Sequence, residues 1–163
     1  MATNPPIEPN VFTTTQTASG QAVFTEVKPK VFSSNLAVIY GSNSLPVDIT
    51  DNADLEYHSS SPIELVPKQG CQVFTMRIAP GGKDAPISRL HRNLSIDIGI
   101  LVAGSVEAVL DSGESRTLVV GDSLIQRATM HGWRNTSETE TASMVIVAIP
   151  ATENGGSVQS SEI

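Results

Sequence analysis

Nothing in this chain sustains a helical period over any length. Its apolar and β-branched residues come in short runs, broken by Gly, Pro, Asn and Asp about every 8–12 residues. The runs fall at 21–28, 31–40, 63–66, 72–78, 95–102, 106–110, 116–120, 123–126 and 142–149. Runs this short and this regularly punctuated are expected of antiparallel strands in a sandwich or barrel. Two turns are well marked. Asp111-Ser112-Gly113-Glu114 separates two runs, with Gly113 free to take positive φ, and Val120-Gly121-Asp122 redirects the chain into 123–126. The one helical candidate is a loose turn near residues 51–57. The fold class is all-β.

A length of 163 residues suits one domain with a single core. Residues 1–16, rich in Pro, Thr and Asn, read as a flexible arm; 17–151 form the β-barrel domain; and 152–163 read as a flexible polar tail. No internal repeat is visible. The net charge of −7, with Lys and Arg scattered singly, argues against nucleic acid or an anionic membrane as partner. No stretch approaches the ~20 apolar residues needed to span a bilayer, and residues 1–16 lack a signal-peptide run. Cys71 is the single cysteine, so a reducing, cytoplasmic setting is expected and nucleophilic work is not.

Chemistry concentrates in two segments, 91–97 and 131–135. The chain has three histidines, His58, His91 and His131, and two of them lie here. Strand alternation puts His91, Asn93, Ser95 and Asp97 on one face, and Arg92, Leu94 and Ile96 on the other. A barrel interior lined by such a row is polar where a structural barrel would place Val or Leu. Buried polar groups cost stability unless paired, so the row marks a ligand or metal pocket. Two imidazoles and a carboxylate can hold a divalent metal, or can move protons without one. Structural roles compete with this. His131 could be a hydrogen-bonded core histidine beside Trp133, and Asp97 could pair with Arg77, Arg127 or Arg134. His58, in a Ser-rich segment, is expected in solvent. Trp133 and Met130 are expected as core or pocket wall. Gln126 and Arg127 should face opposite sides of their strand.

These segments resemble the two motifs of the cupin superfamily. The first, G-x5-H-x-H-x3,4-E-x6-G, is matched by His91, Asn93 at the second histidine, Asp97 at the acid and Gly104. Its opening glycine is displaced to Gly81 or Gly82. The second, G-x5-P-x-G-x2-H-x3-N, is matched by Gly121, His131 and Asn135, with Gln126 and Ala128 replacing Pro and Gly. The stretch from Gln126 to Asn135 is similar to small single-domain cupins reading Gln-Arg-Gly-Thr-x-His-Ala-Trp-Arg-Asn, and the close match covers roughly residues 85–150.

The resemblance implies a double-stranded β-helix, or jelly roll. The usual ligand set is three His and one Glu; here Asn93 is a poor ligand and Asp97 reaches less far. It therefore implies a zinc, iron or manganese ion on His91, Asp97 and His131, or a metal-free site with the same three residues catalytic. Asn93, Gln126, Met130, Trp133 and Arg134 would contact substrate. The implied activity is a small-molecule tailoring enzyme of lyase or isomerase type. It would decarboxylate, dehydrate or cyclise a polyketide-like carbonyl compound from secondary metabolism. An iron-dependent dioxygenase and a non-catalytic small-molecule-binding cupin are the alternatives. A homodimer is the expected assembly.

Overall fold

The computed structural model describes residues 7–152 and the backbone of Ser161–Glu162. Two strands, β1 (Thr13–Gln16) and β2 (Ala22–Thr25), form a hairpin of their own. β3 (Lys30–Ser33) and β4 (Leu36–Ser42) follow, then a 3-10 turn at Thr50–Asn52 and helix α1 (Ala53–Ser60). Next come β5 (Cys71–Ile78), β6 (His91–Arg92), β7 (Ser95–Ala103), β8 (Val106–Leu110) and β9 (Ser115–Leu118). β10 (Ser123–Arg127), β11 (His131–Asn135), β12 (Ala142–Pro150) and β13 (Ser161–Glu162) complete the order.

The body is an antiparallel jelly roll. A six-stranded sheet runs β10-β7-β12-β5-β4-β3, and a five-stranded sheet runs β13-β6-β11-β8-β9. From β6 onward the chain keeps changing sheets. It leaves the smaller sheet at Arg92, enters the larger at Ser95, and returns after Ala103. Gly104 makes that return possible: its φ is +77°, and a Cβ there would lie 2.8 Å from Ala142 Cα. The Asp111–Glu114 turn closes as expected, with Gly113 N–H donating to Leu110 O and Leu110 N–H to Glu114 O.

Alternation decides what lies between the sheets. In β12, Ala142, Met144, Ile146 and Ala148 are buried, and in β7 Ser95, Asp97, Gly99 and Leu101 are. The core joins Val38, Phe74, Leu101, Met144 and Ile146 to Val106, Leu118 and Trp133 of the other sheet. One end of the interior is therefore apolar. The other, at Ser95 and Asp97, is polar.

Several expectations are corrected. Thr13–Gln16 is a strand paired with Ala22–Thr25, and Ile7 is buried, so the described part of the expected arm is structured. Of the expected tail, residues 153–160 and 163 lie outside the described residues, while Ser161–Glu162 pairs with β6. The run 31–40 breaks into β3 and β4 because Asn35 turns the chain, and 63–66 is not a strand. The loose turn near 51–57 is a true helix from Ala53 to Ser60. His58 on that helix is fully buried, not solvated; its Nε2–H donates to Lys28 O at 3.2 Å and its ring stacks on Tyr40. Helical winding turns one residue in four inward, which a composition reading of a Ser-rich segment misses. Among the described residues, no helix is long and apolar enough to cross a membrane.

Candidate active site

Antiparallel register creates the site. β11 lies between β6 and β8, and His131 is the register partner of His91 on one side and Leu110 on the other. Directly opposed residues share a face, so the two imidazoles meet. Their centroids are 4.3 Å apart with the ring planes tilted by 56°. The ring of His131 also meets Trp133 edge-on at 5.5 Å.

Main-chain carbonyls set the tautomers. His131 Nδ1 lies 2.9 Å from Thr129 O and His91 Nδ1 lies 3.3 Å from Arg89 O. A carbonyl only accepts, so each Nδ1 carries the proton and each neutral Nε2 keeps its lone pair. Burial, opposed by the Thr129 bond and aided by His91, holds the His131 imidazole below its ordinary value of 6.5. Asp97 pulls in the other direction, so it lies within electrostatic reach. His131 is thus a neutral base at pH 7.

Asp97 stands on β7, in the facing sheet. Ser95 Oγ donates to its Oδ1 at 2.6 Å and Asn93 Nδ2 to its Oδ2 at 3.4 Å. The expected row His91-Asn93-Ser95-Asp97 is therefore not one strand face. The chain crosses between sheets at Asn93 and Leu94, which leaves His91 on the smaller sheet and Asp97 on the larger. Across the larger sheet Gln126, Asp97, Ala148, Gln72 and Gly41 are consecutive register partners. Gln126 is buried and Arg127 exposed, as alternation requires.

The donor set was tested for a metal. Among the described residues, no three of His, Cys, Asp and Glu are grouped so that they could hold an ion. Both Nδ1 atoms are engaged by carbonyls, which leaves the two imidazole Nε2 atoms on one sheet and the remaining lone pairs of Asp97 on the other. These three are not gathered as the three protein ligands that catalytic zinc or non-haem iron takes. The zinc, iron or manganese expected on His91, Asp97 and His131 does not fit these residues as arranged.

Each cupin motif spans both sheets of the double-stranded β-helix: His91 on β6 and Asp97 on β7, Gln126 on β10 and His131 on β11. No family model matches the chain. Phomopsin biosynthesis cluster protein D of Diaporthe leptostromiformis is 36% identical over 153 residues, covering 88% of this chain and 79% of that protein. The cupin-domain-containing oxidoreductase srdB of Neurospora crassa is 42% identical over 108 residues, covering 66% of this chain and 53% of that protein. The chain belongs to the cupin superfamily. This cupin spans about half the length of the relatives named cupin-domain-containing oxidoreductases. A Klebsiella pneumoniae structure with a double-stranded β-helix domain aligns at 21% identity and TM-score 0.45, covering 56% of this chain and 73% of that one.

The remaining expected site residues divide. Met130 is buried next to His131 in the chain, and Trp133 packs into the cupin's core beneath it. Arg134 lies on the opposite face of β11 and is no pocket residue. Its Nε donates to Glu107 Oε2 at 2.9 Å, its Nη2 donates to the same oxygen, and its Nη1 donates to Ala85 O at 3.3 Å. Ser115 first, then Arg134, hold the Glu107 carboxyl below the usual range. Arg134→Met should therefore lower the melting temperature modestly, by about 1 kcal/mol for a partly exposed pair, and leave turnover intact. Lost turnover at unchanged stability would return Arg134 to the site. Asn135 is structural too: its Nδ2 donates to Ile78 O and Glu140 O at 2.9 and 2.8 Å.

Gln72 escaped the sequence reading. The signal was there: Gln72 shares a strand face with Phe74, Met76 and Ile78, a polar residue in an apolar row. A cavity of about 890 Å³ also went unforeseen, between β1, the outer face of β4 and helix α1, with Thr13, Thr15, Ile39, Tyr40 and Asp54 among its walls. It holds none of the histidines. Tyr40 Oη donates to Asp54 Oδ2 at 2.8 Å, so these two satisfy each other.

Burial also lowers His58, against its bond to Lys28 and with Lys30 assisting. The sign follows for both buried imidazoles. With folded pKa values below 6.5, the unfolded chain takes up protons first as the pH falls. Stability is therefore full above pH 6.5 and declines below it. Melting temperatures between pH 8 and 5 should show this fall, and His58→Gln should flatten it. A melting temperature that is flat or rises on acidification contradicts the burial of neutral rings.

Proposed function

We propose that this cupin is a small-molecule tailoring enzyme of lyase or isomerase type, working on a polyketide-like carbonyl compound by proton transfer. The observation that carries the reading is the imidazole pair, in which His131 is buried and neutral with its Nε2 lone pair free. The names of relatives in the phomopsin and oryzines biosynthesis clusters support the setting.

The chemistry follows from the arrangement. His131 Nε2 removes the acidic proton from carbon next to a carbonyl, and the electron pair moves onto the carbonyl oxygen as an enolate. The imidazolium so formed is favoured by the charge of Asp97. Return of that proton to a different carbon isomerises the compound. Loss of a β-hydroxyl, protonated by His131, dehydrates it to the enone and water. Attack of the enolate carbon on a second carbonyl cyclises it.

A direct test needs no prior choice among these outcomes. β-Keto and β-hydroxy carbonyl compounds are incubated with the protein in D2O, and α-proton exchange is followed by NMR. Wild type should speed exchange or turnover, and His131→Asn should not. Tight binding with no exchange at all would make the protein a carrier instead.

Relatives named oxidoreductases favour a second reading, an oxidoreductase that consumes dioxygen. Turnover that stops when dioxygen is removed would move the conclusion there.

The same reading includes a second copy as partner. The outer face of the larger sheet carries Ile98, Ile100, Val102, Ile125, Val145 and Val147, with Val102 and Ile125 48% and 53% exposed. None of these is acidic in a chain of net charge −7, so two copies could meet there without charge repulsion. Sedimentation should give a dimer, and Ile100→Glu with Ile125→Glu a monomer. A wild-type monomer at tens of micromolar would end that expectation.

A further inference from the structure

We infer that Gln72 and Gln126 form the substrate-recognition pair of this site and select an uncharged carbonyl or hydroxyl group. The inference rests on the interior being the place where substrate binds. It deepens the proposed function by naming what the site recognises.

The pair is a product of register. Gln126 of β10 opposes Asp97 of β7, Asp97 opposes Ala148 of β12, Ala148 opposes Gln72 of β5, and Gln72 opposes Gly41 of β4. Opposed residues share a face, so all five point inward in one row. Gln126, Asp97 and Gln72 are 7%, 5% and 4% exposed. One row deeper the partners are Leu124, Gly99, Ile146, Phe74 and Val38. The polarity thus begins at the row that holds Asp97, whose charge acts on His131.

The Gln126 amide lacks what a passive interior would supply. Gln126 Nε2 is sealed from solvent and has no hydrogen-bond partner among the described residues. An unpaired buried amide costs about 1–3 kcal/mol, and Met or Leu would fill the same volume without that cost. An amide kept there has something to bond that comes and goes. Ala148 and Gly41, the smallest residues in the row, flank Gln72 on either side. A Cβ on Gly41 would sit 3.7 Å from Gln72 Nε2.

The chemistry of the row fixes the class of ligand. Carboxamides offer donors and acceptors with no charge, which suits a ketone, an aldehyde, an amide or an alcohol. The row holds no cation, and Asp97 within it repels a carboxylate or phosphate. A neutral compound enters with its carbonyl toward the amides, and a donated N–H steadies the oxygen when it becomes an enolate. Dehydration, isomerisation and cyclisation of a neutral compound therefore rank above decarboxylation of an acid.

Acetylacetone and acetoacetate make a matched neutral and anionic pair for the test. Binding is read by ligand-observed NMR and stability by thermal melting, for wild type, Gln72→Met and Gln126→Met. Wild type should prefer acetylacetone, and each variant should weaken it by about tenfold, one hydrogen bond's worth. Gln126→Met should melt at the wild-type temperature or higher, because an unpaired amide has gone. A preference for acetoacetate, no binding of acetylacetone, or variants that bind normally would each overturn the pair. So would variants that melt lower and bind as wild type, the mark of a purely structural amide. The two readings fail separately. Amide-dependent binding without proton exchange in D2O sinks the enzyme and keeps the pair; exchange untouched by either variant keeps the enzyme and sinks the pair.

Discussion

His131→Asn should yield a folded protein whose proton-transfer rate has dropped by about 10²–10⁴-fold, the usual worth of a positioned general base. Asparagine is chosen because its side-chain N–H can still reach Thr129 O, as His131 Nδ1–H does at 2.9 Å. The local backbone bond is then preserved and only the basic Nε2 is lost. Circular dichroism and melting should match wild type near pH 7. The rate profile adds a second check. With His131 held below 6.5 by burial, wild-type kcat/KM should stay flat as the pH falls to 6.5 and decline only below it. His91→Asn should cost less, because His91 disfavours the imidazolium rather than accepting the proton. A folded His131→Asn protein with wild-type exchange would remove this residue from the mechanism.

Trp133→Ala should be the most damaging single change to stability, by about 3–5 kcal/mol. The side chain is 6% exposed and lies in the cluster that joins the two sheets, packed with Leu101, Met144 and Ile146. For a chain of this size that is on the order of a 10 °C fall in melting temperature. Its loss also removes the edge-on support of His131, whose ring lies 5.5 Å away. Trp133→Phe keeps an aromatic wall and should cost far less. An alanine variant melting within a degree or two of wild type would mean the sheets are held elsewhere.

How much of this was legible follows from the physics of each signal. Short runs and turn residues act locally, so the strands from 72 onward and the Gly113 turn could be read directly. His91 and His131 could be matched through motif spacing because both sit at strand ends whose separation the jelly roll fixes. The change of sheet at Asn93 was not legible. Alternation within a run of seven residues says nothing about whether the run stays in one sheet. Arg134 was misassigned for a related reason: its partner Glu107 is 27 residues away, and only register brings it alongside. Gln72 lies outside both motifs, so its role emerges only once β12 is placed between it and Asp97. His58 was hidden by composition, since a Ser-rich segment can still wind one ring inward.

The crossing at Asn93 has a consequence for how this protein could be tuned. Base and counter-charge belong to opposite walls, so their spacing is set by the thickness of packing between those walls, about 10 Å for stacked sheets. A methylene added or removed at Leu101 or Met144, far from any titrating atom, would act as a shim. Reactivity would then follow core volume, and drift among relatives could retune it while every polar residue stayed the same.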